Sequence, residues 1–207
     1  LGIDVKKHIL YLALFGFITG LLFGQESRDG EMQLFIDHAK FQASEDWTYV
    51  EIYFAIPRNT LKHVKKENQF ESTFDIDINL FSGDSLIASK RIKNRDSVQS
   101  LDQIKQGQTY NTQTAFYLKE GRYNLRSQII FASDLSGVSA LTELSITPLS
   151  HKNLAISDIE FASRITPGFQ DGLFVKNGIL VIPNPQRIYG FNYQEISYYC
   201  EVYNLSP

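Results

Sequence analysis

From residue 31 onwards apolar and polar residues take turns along the chain, and a period of two marks a strand with one face in a core and the other in water. The clearest stretch is Phe70 to Phe81, where Phe74, Ile76, Ile78 and Leu80 alternate with Asp75, Asp77 and Asn79. The same pattern predicts strands over Met32 to Ala43, Trp47 to Ile56, Leu86 to Lys93, Tyr110 to Leu118, Arg122 to Ala132 and Ser139 to Thr147. In the second of these, Val50, Ile52, Phe54 and Ile56 take one face and Tyr49, Glu51 and Tyr53 the other, until Pro57 stops it. Turn residues separate the runs at Ser82-Gly83-Asp84, at Lys119-Glu120-Gly121 and over Asp134 to Gly137. Residues 94 to 109 are polar and without a period, which predicts a long loop with at most one helical turn around Leu101 to Ile104.

Short strands separated by turns, with no amphipathic helix among them, predict an all-β domain over residues 31–147. Its expected form is an antiparallel immunoglobulin-like β-sandwich, with a small barrel as the rival. The chain has one cysteine, so no internal disulfide pins the sheets and the core must come from aliphatic and aromatic packing. After Pro148 to Asn153 a second block begins, with strand patterns over Leu154 to Ser163, Ile179 to Ile182 and Ile196 to Leu205 and a break at Pro183-Asn184-Pro185. So few strands seldom make an independent core. Residues 154–207 therefore read as the start of a second, incomplete β domain or as a C-terminal strand extension. Truncation is the favoured explanation, and an opening Leu1 in place of Met raises the same expectation for the other end.

At the N-terminus Lys6, Lys7 and His8 precede an unbroken apolar run from Ile9 to Phe23, followed by Gly24-Gln25-Glu26-Ser27. A basic head, a short apolar stretch and a small residue at its exit make residues 1–24 a signal peptide, with a retained anchor as the lesser reading. Export is expected, with no membrane span once the leader is cleaved; no cysteine follows the apolar run to take a lipid. A net charge of −3 argues against nucleic acid or an anionic membrane as partner, since both call for a basic excess.

Catalytic chemistry is not found. Gly137-Val138-Ser139-Ala140-Leu141 begins like a nucleophile elbow but lacks the second glycine. His38, His63 and His151 are scattered and read as surface histidines, and no cofactor motif occurs. Asp75, Asp77 and Asn79 share a strand face but stand about 7 Å apart, too far to meet one cation, and read as a solvated face. Lys90, Arg91, Lys93 and Arg95, with Lys62, Lys65 and Lys66, read as charge that keeps strand edges from pairing with other chains. Cys200 shares a face with Ile196, Tyr198 and Val202 and is expected as a buried thiol. Tyr189, Phe191, Tyr193, Tyr199 and Tyr203 make the C-terminal block dense in aromatics and form the candidate interaction surface. Exposed, they suit a sugar polymer or a protein; buried, they are core.

Taken in order, Phe35 to Phe41 (FIDHAKF), Val50 to Leu61 (VEIYFAIPRNTL), Tyr123 to Asp134 (YNLRSQIIFASD), Ser157 to Ala162 (SDIEFA), Ile182 to Pro185 (IPNP) and Tyr198 to Leu205 (YYCEVYNL) resemble the N-terminal region of the GWxTD-domain proteins. These are exported bacterial proteins without an established activity. The Gly-Trp-x-Thr-Asp signature is absent; the single tryptophan stands in Asp46-Trp47-Thr48. The resemblance implies a periplasmic or cell-surface location in a Gram-negative bacterium and a sandwich front end, and supplies no catalytic residues. The expectation is an exported, non-enzymatic module that works by contact with an envelope protein or with a missing C-terminal domain of the same chain. Its alternative is a carbohydrate-binding accessory module using the C-terminal aromatics.

Overall fold

The computed structural model describes residues 32–189 and 195–205. The leader expected over residues 1–24, and Phe191 and Tyr193 of the aromatic block, lie outside them. The described chain is nearly all β, with antiparallel sheets in a sandwich-like arrangement. Strands β1 (Phe35–Ser44), β2 (Trp47–Pro57), β3 (Val64–Lys66), β4 (Gln69–Ser82), β5 (Ser85–Val98), β6 (Thr109–Leu118), β7 (Gly121–Phe131) and β8 (Ser139–Ile146) build the two main layers. One sheet runs β1-β2-β6; in the other, β4 lies between β5 and β7, β7 also pairs β8, and β3 pairs the start of β4.

The alternating apolar faces meet between these sheets. Val50, Ile52, Phe54 and Ile56 from β2 pack with Phe74, Ile76, Ile78 and Leu80 from β4, and with Leu125, Ile129 and Phe131 from β7, in one buried cluster. Each of these side chains moves from water into a fully apolar setting, a gain of about 2 kcal/mol apiece before chain entropy is counted. The opposite face of β4 is polar, with Asp75 and Asp77 half-buried and Glu71 buried. There Arg91 on β5 holds both carboxylate oxygens of Asp77, and Arg95 meets Glu71 at 2.6 Å. The basic residues of β5 thus line a strand paired on one side only, as the charged-edge reading expects.

Three elements depart from the sequence pattern. Residues 94–98 continue β5 where a loop is expected, because their partners on β4, Phe70 to Phe74, supply a backbone ladder that needs no apolar alternation. Asn94 and Asp96 are buried there, and Asp96 accepts two bonds from Arg58 (2.9 and 2.7 Å) and stands 3.0 Å from His63 Nε2. His63 is therefore no surface histidine: its side chain is 3% exposed, with Nδ1 against the Leu61 carbonyl. Lys65 and Lys66 lie in β3, a short strand that the sequence pattern does not mark.

The third departure shapes the C-terminal block. The two long strands expected at Leu154 to Ser163 and Ile196 to Leu205 are each broken. They become β9 (Ala155–Ile156) and β10 (Glu160–Pro167), and β13 (Ser197–Tyr199) and β14 (Val202–Tyr203). Between them lie β11 (Val175–Lys176) and β12 (Ile179–Pro183). β10 pairs β12 and β13, while β9 pairs β14, so one ladder kinks in the middle. The kink is held by Ser157, whose N–H donates to the Glu201 carbonyl and whose hydroxyl accepts from the Glu201 N–H, both at 2.9 Å. Alternation fails across that kink, and Cys200 is half-buried beside exposed Ile196, Tyr198 and Val202 rather than inside a core.

Candidate functional site

The outer face of the β1-β2-β6 sheet is where the two blocks meet. Its rows can be read from the register: Phe41, Tyr49 and Tyr117 lie abreast, then Ala39, Glu51 and Ala115, then Asp37, Tyr53 and Gln113. Alternation puts these side chains on the side away from the main core, so a second layer or water must cover them. The C-terminal block covers one end. It grips the unpaired edge of β1 through Lys40, whose N–H donates to Asp158 Oδ2 (3.1 Å) and whose carbonyl accepts from the Asp158 N–H (3.0 Å). Arg187 holds both oxygens of Asp37 (2.9 and 2.6 Å), and Gln113 donates to the Leu173 carbonyl at 2.6 Å.

At the centre of this contact stands Lys176. It ends β11 just before Asn177 and Gly178, both at positive φ, the pair that a two-residue hairpin turn with the strands' own twist requires. The turn aims the Lys176 side chain into the face of the first sheet, where it is 9% exposed. Its ammonium donates to the carboxylates of Glu51 and Glu160 and to Tyr53 Oη (3.1 Å). Three rings surround it, with centroids at 4.6 Å (Phe41), 5.2 Å (Tyr53) and 5.3 Å (Tyr199).

One ammonium faces two carboxylates here, and the imbalance has a direction. The Glu160 side chain is fully buried and its Oε1 has no hydrogen-bond partner, so burial raises its pKa against the opposing pull of Lys176. Tyr53, which donates to Glu51 at 2.8 Å, is held neutral by burial and by the neighbouring Glu160 and Glu51 carboxylates. The arrangement is a charge-paired rivet between the blocks. Among the described residues, no serine, threonine or cysteine hydrogen-bonds this lysine.

Uncovered, the other end of the same face is aromatic. Trp47 and Tyr117 are 41% and 63% exposed, and with Tyr49, Gln42, Ala43 and Ser44 they line a cleft of about 510 Å³. The Tyr49 and Tyr117 rings stand 5.1 Å apart, and Lys119 Nζ lies 5.2 Å from the Trp47 ring centroid. A second depression, of about 220 Å³, adjoins it through Gln42 and Tyr49 and reaches Phe41, Glu51, Asn177 and Glu201.

The aromatic block singled out in the sequence takes a different role. Tyr199 packs on Phe41 at 6.2 Å, and its hydroxyl donates to Glu201 Oε1 (2.7 Å) and accepts from Asn177 (2.8 Å). The Tyr203 hydroxyl donates to Glu201 Oε2 (2.6 Å) and accepts from the Gln42 N–H (3.2 Å). Burial, reinforced by Glu201, raises both phenols above their ordinary range. Tyr189 stands edge-on to Phe161 at 6.2 Å. These three tyrosines thus lean on the protein's own surfaces, and the open rings on the β1-β2-β6 face are Trp47 and Tyr117, with Tyr49 half-buried between them. The alternation of β2 had marked Tyr49; nothing in the sequence distinguishes the exposed end of that face from the covered one.

Among the described residues no cluster of three His, Cys, Asp or Glu is placed to hold a metal ion. None of their helices is long and apolar enough to cross a membrane. Gly137, from the incomplete nucleophile motif, has a packing role: a Cβ there would fall 1.7 Å from the Ile129 carbonyl oxygen, next to the bond from the Ile129 N–H to the Val138 carbonyl (2.9 Å). The chain matches no family model, no curated protein and no solved structure.

Proposed function

We propose that this protein is an exported, non-catalytic β-sandwich module that works by contact with another protein of the bacterial envelope. The observation that carries the reading is the apolar surface left on the short C-terminal strands. Ile156 and Val202 are cross-strand partners and both are exposed, and Leu154, Ile196, Tyr198 and Leu205 nearby in the chain are exposed as well. Large apolar side chains gathered on short, exposed strands are costly in water unless another surface covers them. The basic head and apolar run ahead of Gly24 support export. The resemblance to the front region of GWxTD-domain proteins belongs to the same reading and agrees with an envelope location.

The test is cross-linking and co-purification from envelope fractions of cells that make the chain with its leader. The unaltered protein is expected to retain one partner that survives washing. A variant carrying Ile156→Ser, Tyr198→Ser and Val202→Ser is expected to lose it while unfolding at the same temperature. A chain that stays in the cytosol, or a partner kept equally by the triple variant, would overturn the proposal.

A further inference from the structure

The groove at the open end of the β1-β2-β6 face supplies what a sugar ring needs and little that any other ligand needs. We infer that it binds a neutral pyranose oligosaccharide, stacked on Tyr117 and Trp47 and hydrogen-bonded by Gln42, Asn177 and Glu201. Glu201 lies between the short strands invoked for protein contact, but the stacking rings Tyr117 and Trp47 do not belong to them, so Tyr117→Ala tests this inference apart from the triple variant.

The floor is made of ring faces. Tyr117, near the end of edge strand β6, is 63% exposed and lies abreast of Tyr49, and Trp47 continues the aromatic surface along β2. The main core lies on the other side of the sheet, and the small buried cluster on this face, Ala39, Phe41 and Tyr53, takes in Tyr49 but neither Tyr117 nor Trp47. Aromatic faces carry negative charge density and attract the slightly positive C–H face of a pyranose, as they attract cations and ring edges.

The polar end is rich in acceptors. Gln42 donates its amide N–H to the Ser150 carbonyl (2.8 Å), and Asn177 donates to Tyr199 Oη (2.8 Å). Both amide oxygens are thereby left to accept, and Glu201 Oε2, which already accepts from Tyr203, keeps a further lone pair. Sugar hydroxyls are the donors that suit such a set.

Charge excludes the ionic alternatives. Lys176 is committed to Glu51 and Glu160, the Glu201 carboxylate is held by two tyrosine hydroxyls, and Lys119 lies on the Trp47 ring. A phosphate or acidic sugar would find these cations already engaged, and a basic peptide would have to displace Lys176 from Glu51 or two phenols from Glu201. The larger of the two adjoining depressions, of about 510 Å³, falls in the range of small-ligand sites.

Trp47 is the single tryptophan of the chain, so its fluorescence reports on this groove alone. The protein is titrated with chitohexaose, cellohexaose, xylohexaose and mannohexaose, each up to about 10 mM, which covers the millimolar affinities of stacking sites. A saturable change in intensity or wavelength is expected with at least one. Tyr117→Ala should weaken that binding by about tenfold or more, the scale of one lost stacking partner, while leaving the unfolding temperature unchanged because the ring is exposed. Gln42→Ala should weaken it several-fold. The inference is overturned if none of the four oligosaccharides gives a saturable change, or if the change is the same in Tyr117→Ala.

Discussion

Replacing Lys176 by methionine keeps the aliphatic stem among Phe41, Tyr53 and Tyr199 but removes the ammonium from between Glu51 and Glu160. Breaking a buried ion pair by deleting one partner costs about 3–5 kcal/mol, because a charge is left without solvent or counter-ion. That cost has a ceiling. A stranded carboxylate can take a proton instead, and protonating an ordinary glutamate at pH 7 costs about 3–4 kcal/mol, from 1.36 kcal/mol per pH unit above its usual pKa. Lys176→Met should therefore lose about 3 kcal/mol at pH 7, and the loss should shrink towards zero as the pH is lowered to about 4.5, where protonation is nearly free.

The assay is urea unfolding of the variant and the parent across that pH range, with limited proteolysis after residue 150 to show whether the C-terminal block lets go first. Adding Glu51→Gln and Glu160→Gln to Lys176→Met should recover most of the loss, since the neutral amides need no ammonium. A loss below about 1 kcal/mol at pH 7, or one of equal size at both ends of the pH range, would refute the charge argument and leave Lys176 with a packing role only.

Glu160→Gln alone isolates the proton. The native pKa of Glu160 is raised by burial, so the folded state holds its proton to higher pH than the unfolded chain, and stability falls as pH rises from about 4.5 through the native value. The variant should match the parent near pH 4 and be the more stable at pH 7; identical pH profiles in denaturant melts would count against it. Gly137→Ala should cost about 2 kcal/mol or more and slow refolding of the β7–β8 hairpin, because the new methyl meets a backbone carbonyl that cannot yield; an unchanged unfolding midpoint would show that the hairpin can shift. Ser127 sits in the core between Leu125 and Ile129 with its hydroxyl unpaired, so Ser127→Ala should raise stability by about 1 kcal/mol in urea unfolding, and a loss instead would point to a partner for that hydroxyl.

Much of the first block can be read residue by residue. Phe74, Ile76, Ile78 and Leu80 point inward and Asp75 and Asp77 outward because side-chain direction in a strand is set by parity alone, which is local. The helical turn expected at Leu101 to Ile104 is found at Leu101–Gln103, and the turn at Ser82-Gly83-Asp84 holds Gly83 at positive φ. Asp96 and His63 were less accessible to such reasoning. A polar segment with no period says nothing of a strand whose ladder partner lies some twenty residues back and whose carboxylate is met by Arg58. Asn177-Gly178 between Lys176 and Ile179 is a hairpin signal that the periodicity of that block leaves unmarked.

Glu51 shows where local reading ends. Its place on the outer face of β2, between Tyr49 and Tyr53, follows from alternation, and a glutamate on an outer face is ordinarily wet. Here it is buried, because a hairpin more than a hundred residues later brings Lys176 onto it, and the aromatics beside it are divided between a covered end and an open one. Sequence by itself determined the main strands of the first block, their faces and the main core, all of which depend on near neighbours and on the parity of the chain. Only the tertiary structure decided which outer face became a second interface and which rings stayed in water, because that depends on where a distant segment lands, and no period in the chain records it.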